Sequence, residues 1–259
     1  MNLKNNLVVK SNNLVEAFCV MTQNECKIIS YLISKIMKDD KDFGIQRISV
    51  REFNDLLEIR GSKTNSYMKV FEKELLKKMV EVEYENGDRL NVNWFQYSKY
   101  IHSQSTLELC FNSYLKEHLL ELNKNYTKYS LKVIARLDSS YSIRIYELLK
   151  QYEKIGYREI TIQELKYMVG ANDKYKLYAD FKKYVIFASQ KSLKKNADIY
   201  FEFDEIKYGK KVEAIKFFIF KNTANGKYDN QIESNHIQDT EDMPSEEVQK
   251  ISPFSLKIE

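Results

Sequence analysis

Arg47-Ile48-Ser49-Val50-Arg51-Glu52-Phe53 and Glu159-Ile160-Thr161-Ile162-Gln163-Glu164-Leu165 stand 112 residues apart and agree nearly position by position. After the first residue, Ile meets Ile, Ser meets Thr, Val meets Ile, Arg meets Gln, Glu meets Glu and Phe meets Leu. Leu56 and Leu57 follow the first run, and Met168 and Val169 follow the second at the same separation. Alternating apolar residues that give way to helical spacing describe a short strand running into a helix. The chain therefore carries an internal repeat.

Outward from these runs the pattern continues in both halves. Upstream of the first, Thr22 is an N-cap with Glu25 three residues on, a capping-box spacing. Ile28, Ile29, Leu32, Ile33 and Ile36 follow at helical spacing. Upstream of the second, Ser140 caps a helix carrying Ile143, Ile145, Tyr146, Leu148, Leu149 and Tyr152. Downstream, a third helix runs from about Thr64 through Tyr67, Val70, Phe71, Leu75 and Met79. Its counterpart runs from about Lys176 through Tyr178, Phe181, Val185 and Ala188. Each half closes on a hairpin signal at a Gly turn. The first is Val80 to Tyr84, turning at Asn86-Gly87-Asp88; the second is Ile199 to Phe203, turning at Tyr208-Gly209-Lys210-Lys211 and returning through Ile215 to Phe220. Helix, strand, helix, helix, hairpin is the element order of a winged helix. The expected fold is α+β: two tandem winged-helix domains, 1–125 and 126–221, related by internal repeat, plus a disordered acidic tail, 222–259.

The tail rests on composition. It holds three Lys against eight Asp or Glu and both prolines, Pro244 and Pro253; such segments cannot bury enough apolar surface to order themselves. The remaining 221 residues carry 38 basic and 29 acidic side chains, divided as 18 against 17 before residue 126 and 20 against 12 after it. One half is nearly neutral and the other is +8, so the second half is the one suited to a polyanion.

Charge position sharpens this. A winged helix lays its third helix in the DNA major groove and its hairpin along the backbone. With Tyr178, Phe181, Val185 and Ala188 inward, Lys174, Lys176, Lys182 and Lys183 project near the helix start and Lys191 near its end. The wing adds Lys207, Lys210 and Lys211 around its turn. Such lysines meet phosphates or guanine edges. The first half offers Lys63, Asn65, Ser66 and Lys69 on its third helix, whereas its hairpin carries Glu81, Glu83, Glu85 and Asp88. Phosphate repels such a hairpin, which points to dimerisation and a weaker DNA contact for that domain.

Other chemistries find little support. His102, His118 and His236 are far apart, with no paired-His metal clamp. Gly61-Ser62-Lys63-Thr64 imitates the end of a phosphate-binding loop, but Ser62 separates Gly from Lys and the upstream Gly is missing. Cys19, Cys26 and Cys110 follow no C-x-x-C spacing and read as reduced thiols in a cytoplasm. No apolar run approaches the roughly 18 to 20 residues of a membrane span. Trp94 reads as core, and no cofactor or catalytic residue is expected.

Several stretches also resemble a known family: Val8 to Ala17, Thr22 to Leu32, Tyr126-Thr127-Lys128-Tyr129, Phe181-Lys182-Lys183 and, most specifically, Tyr141-Ser142-Ile143-Arg144-Ile145-Tyr146-Glu147-Leu148-Leu149-Lys150-Gln151-Tyr152. Over about residues 7–221 the chain resembles the initiator replication proteins of theta-replicating plasmids, the Rep initiators that bind iterons. The resemblance implies that the second winged helix reads repeated origin sites while the first mediates dimers and touches DNA backbone. It also implies that monomers open the origin, that dimers repress the protein's own promoter at an inverted repeat, and that the host initiator and replicative helicase are partners. The acidic hairpin departs from that pattern. Two alternatives remain at this point: a tandem winged-helix repressor without a replication role, and a rolling-circle nuclease, against which the missing paired-His motif counts.

Overall fold

A computed structural model describes residues 6–37, 39–59, 64–122 and 125–223, without the side chains of 64–66. Lys63 and residues 224–259 of the expected tail lie outside the described residues.

The first unit runs β1 (Leu7–Ser11), α1 (Asn12–Glu16), α2 (Gln23–Ile33), β2 (Gln46–Ser49), α3 (Val50–Leu57), α4 (Thr64–Leu76), β3 (Met79–Glu83), β4 (Arg89–Asn93), β5 (Phe95–Ile101), β6 (Thr106–Phe111) and α5 (Lys116–Leu119). The second runs β7 (Tyr126–Ser130), α6 (Leu131–Arg136), α7 (Ser140–Lys150), β8 (Tyr157–Thr161) and α8 (Ile162–Met168). It continues through α9 (Tyr178–Phe181), a π-helical stretch (Lys182–Phe187), α10 (Ala188–Asn196), β9 (Ile199–Tyr208) and β10 (Lys211–Lys221).

The repeat seen in sequence is present in three dimensions. Ser49 and Glu52 form a capping box at the start of α3, and Thr161 and Glu164, 112 residues on, form the same box at α8. Each satisfies backbone N–H groups that the first helical turn leaves without partners. The sheets have matching orders, β2-β6-β5 and β8-β10-β9, all antiparallel. Each unit is a winged helix.

Matching sheet order also corrects the wing of the first unit. β10 pairs with both β8 and β9, so the second wing is β9–β10. Its equivalent in the first unit is β5–β6, because β6 pairs with both β2 and β5. The acidic β3–β4 hairpin is an insertion ahead of that wing. It bridges Phe18 to Glu81, and its Glu81 accepts a 3.0 Å hydrogen bond from Tyr167 of α8. Gly87, at φ 86°, gives this hairpin the Gly turn by which the sequence marks a wing. The true wing turns without glycine, through His102–Gln104 and Ser105 at φ 45°.

The repeat also begins earlier than the sequence suggested. β1 and β7 open their units in the same way, each with a serine at its end (Ser11, Ser130) capping a short helix. They pair with each other antiparallel, Leu7 opposite Ser130 and Ser11 opposite Tyr126. One continuous buried apolar cluster spans both units. Trp94 is part of it, 2% exposed, its indole N–H donating to Cys19 Sγ at 3.4 Å. The three cysteines are free thiols. Among the described residues no helix is long and apolar enough to cross a membrane.

Candidate nucleic-acid interface

The continuous helix made by α9, the π stretch and α10 differs from its sequence reading in two ways. It begins at Tyr178, with Leu177 in extended conformation as N-cap, so Lys174 and Lys176 lie in the approaching loop. The helix before β8 is likewise capped one residue early, by Ser139 in place of Ser140. The π turn then widens the inward face: Phe181, Val185, Ile186, Ser189 and Leu193 are buried, and Ala188, expected inside, is exposed.

Lys182 is not a freely projecting cation. Its ammonium lies 2.7 Å from Glu205 on β9 and sits over the rings of Phe187 and Phe203 at 5.2 and 5.7 Å. The hydrogen bond from Lys182 helps hold the Glu205 carboxyl below its ordinary range, and Tyr178 donates to the same carboxylate at 2.9 Å. This link fixes the wing strand to the helix. Its neighbour Lys183 points outward and is exposed.

Three of the other predicted cations come together. Lys176, Lys210 and Lys211 line a single groove between the helix approach, the first turn of α8 and the wing, with Lys166 also on its wall. The sequence reading missed Lys166. Its Nζ donates to the carbonyl of Tyr175 at 2.8 Å and so braces the approaching loop. A ladder of rings connects that loop to the helix: Tyr141 packs on Tyr175, and Tyr175 stacks on Tyr184. Lys174 lies over Tyr141 and Lys183 over Tyr184. Lys191 is exposed farther along the helix. In the wing, Lys207 shares Glu205 at 3.5 Å and Lys211 pairs with Glu213 at 2.8 Å. These exposed pairs are weak and leave both ammonium groups accessible to a polyanion.

In the first unit Asn65 and Ser66 fall in the opening turn of α4, their side chains outside the described residues. Lys69 is exposed with its Nζ 6.0 Å from the Tyr100 ring on β5, and Tyr100 meets His102 at the wing tip. Lys69 and His102 thus lie on either side of Tyr100, and the wing turn His102–Ser105 carries no Asp or Glu. This removes the departure read from Glu81 to Asp88.

Behind both surfaces lies a buried ionic network centred on α7. Glu147, 1% exposed, accepts from Lys10 at 2.7 Å, from Arg144 at 2.8 Å and from Tyr129. Arg144 also donates to the carbonyls of Val15, Ala17 and Met168 at 2.7 to 3.0 Å. Its neighbour Arg158 pairs with Glu16 at 2.7 Å. The Tyr141–Tyr152 stretch, the most specific part of the resemblance, is therefore the helix that ties the two winged helices together.

Comparison with known proteins agrees with this architecture. A family model described as "Initiator Replication protein, WH1" matches residues 7–150, and "Initiator Rep protein, WH2" matches residues 161–219. The chain belongs to the initiator replication protein family. A replication initiation protein from Escherichia coli is 24% identical over 197 residues, which are 72% of this chain. They span 61% of that relative's length. The crystal structure of Pi initiator protein in complex with iteron DNA superposes with a TM-score of 0.69 at 19% identity, over 85% of this chain and 99% of that one.

Proposed function

We propose that this protein is a plasmid DNA replication initiator that binds directly repeated origin sites through its winged helices. The gathering of Lys174, Lys176, Lys183, Lys191, Lys207, Lys210 and Lys211 around the α9–α10 helix and the β9–β10 wing carries the proposal. The family and the iteron-bound structural relative support it.

The mechanism is non-enzymatic. Lysines displace counterions from phosphate, giving affinity a salt slope of about −0.9 per phosphate neutralised. The helix sets register in the major groove. The first unit, through Lys63, Asn65, Ser66 and Lys69 and the β5–β6 wing, adds backbone contact and, in a second state, joins two copies as a dimer that represses the promoter. Several copies bound side by side strain the neighbouring AT-rich DNA toward melting, where the host initiator and replicative helicase assemble. In this reading residues 1–125 and 126–221 divide the labour and the protein works in the cytoplasm.

A footprint of the purified chain on the DNA flanking its gene, at low and moderate salt, tests this. Regularly phased protection of direct repeats is the expected result. Protection of one inverted repeat alone would instead identify a repressor.

A further inference from the structure

The outward face of the α9–α10 helix is not simply basic. A regular α-helix through Tyr178, Phe181 and Val185 would turn Ala188 inward. The π turn over Lys182–Phe187 accommodates one extra residue per turn, so Val185 and Ile186 are both buried and Ser189 takes the next inward place. Phe187 and Ala188 are consequently turned out. Such turns recur where a helix must re-aim side chains for function.

The resulting surface has Lys183 and Lys191 at its ends and Tyr184, Phe187 and Ala188 between them. Tyr184 is 51% exposed and Phe187 47%. Both rings are held from behind. Tyr184 stacks on Tyr175 with centroids 6.1 Å apart, and Phe187 rests on Phe203 at 5.5 Å. Two fixed aromatic rings facing solvent within a lysine-rich surface need an apolar partner that arrives together with a polyanion. In the major groove of B-DNA that partner is the C5-methyl group of thymine.

Resting on the DNA-binding reading above, we infer that Tyr184, Phe187 and Ala188 form a thymine-methyl reader, with Lys183 and Lys191 on the flanking phosphates. Discrimination by this strip is apolar: it selects thymine over cytosine through the methyl group and is set in place by the π turn.

Uracil substitution isolates the effect, because deoxyuridine keeps every hydrogen-bonding group of thymidine and lacks only the methyl. Duplexes carrying one repeat from the DNA flanking the gene are titrated with the full-length protein, each thymine replaced by uracil in turn. Affinity is expected to fall about fourfold at each thymine that meets the strip, the worth of one buried methyl group. Phe187→Ala or Tyr184→Ala, checked for an unchanged melting profile, abolishes the uracil penalty at the position its ring contacts and leaves the others. An all-uracil duplex bound as tightly as the thymine duplex would overturn the inference while leaving the DNA-binding reading intact. So would variants that keep the full penalty at every position. Failure to bind the unmodified duplex at all would overturn both.

Discussion

Glu147 holds its charge in the interior because two cations and a phenol reach it there. Burial raises the energy of its carboxylate, yet Lys10 and Arg144 more than offset this and hold its pKa below the ordinary 4.5. Removing that charge strands both cations without a counter-ion, which costs about 3–5 kcal/mol. Glu147→Gln is therefore expected to lower unfolding free energy by that order in a urea titration, and pairing it with Lys10→Met recovers part of the loss. A Glu147→Gln protein as stable as the parent would show the network to be energetically idle. His118 is a second residue whose charge state matters. It is 3% exposed, with Nδ1 2.8 Å from the Ser11 hydroxyl and Nε2 3.2 Å from that of Tyr84. Burial pushes the imidazole below its ordinary 6.5, against a smaller upward pull from Glu117. Below pH 6.5 the unfolded chain thus takes up a proton that the folded chain refuses. The stability this histidine contributes is complete above that pH and is lost as pH falls through the window beneath it. Melting temperatures measured between pH 7 and 5 should decline, and the decline should be shallower in His118→Gln.

At the scale of elements, the parts legible in sequence were those whose signal is local. The capping box expected at Thr22 needs only a residue and its third neighbour, and it forms; the matched Ser49–Glu52 and Thr161–Glu164 positions of the repeat form boxes of the same spacing. The first wing was illegible because a hairpin signal does not say which strand it joins. Gly87 marked β3–β4, whereas the β5–β6 turn has no glycine and is identified only by β6 pairing with β2. The π turn was hidden for a related reason: one additional residue inside a helix leaves every propensity unchanged and alters only which side chains face in. The predicted interface changes accordingly for Lys182 and Lys183, adjacent in sequence and opposite in role. Lys183→Ala should weaken DNA binding and reduce the magnitude of the salt slope by about one unit. Lys182→Ala should instead free Glu205 and loosen the wing, lowering thermal stability. Binding isotherms across a salt series, read beside melting curves, separate the two. Equal salt slopes for both variants would contradict the assignment.

For the molecule as a whole, the issue is whether two winged helices act as one body or two. Tandem domains joined by a linker unfold independently by default. Here β1 from the start of the chain pairs with β7 of the second unit, and Arg144 of α7 binds backbone carbonyls at Val15, Ala17 and Met168. Gly170, at φ 69°, passes so close to the first unit that a Cβ there would lie 2.8 Å from the carbonyl oxygen of Cys19. Buried apolar contact, ionic contact and close backbone approach all cross one junction, so neither unit can open without exposing the other's interior. Calorimetry of residues 1–223 should accordingly give a single transition whose calorimetric and van't Hoff enthalpies agree. Arg144→Met removes the carbonyl clamp but leaves Glu147 paired with Lys10, and should split that transition into two. In a footprint the same variant should keep the second unit's protection and lose the fixed spacing of the first unit's contacts, because the relative orientation of α4 and the α9–α10 helix is set at this junction. A single unchanged transition in Arg144→Met would mean that the shared apolar cluster alone couples the units and that the conspicuous Tyr141–Tyr152 stretch serves another purpose.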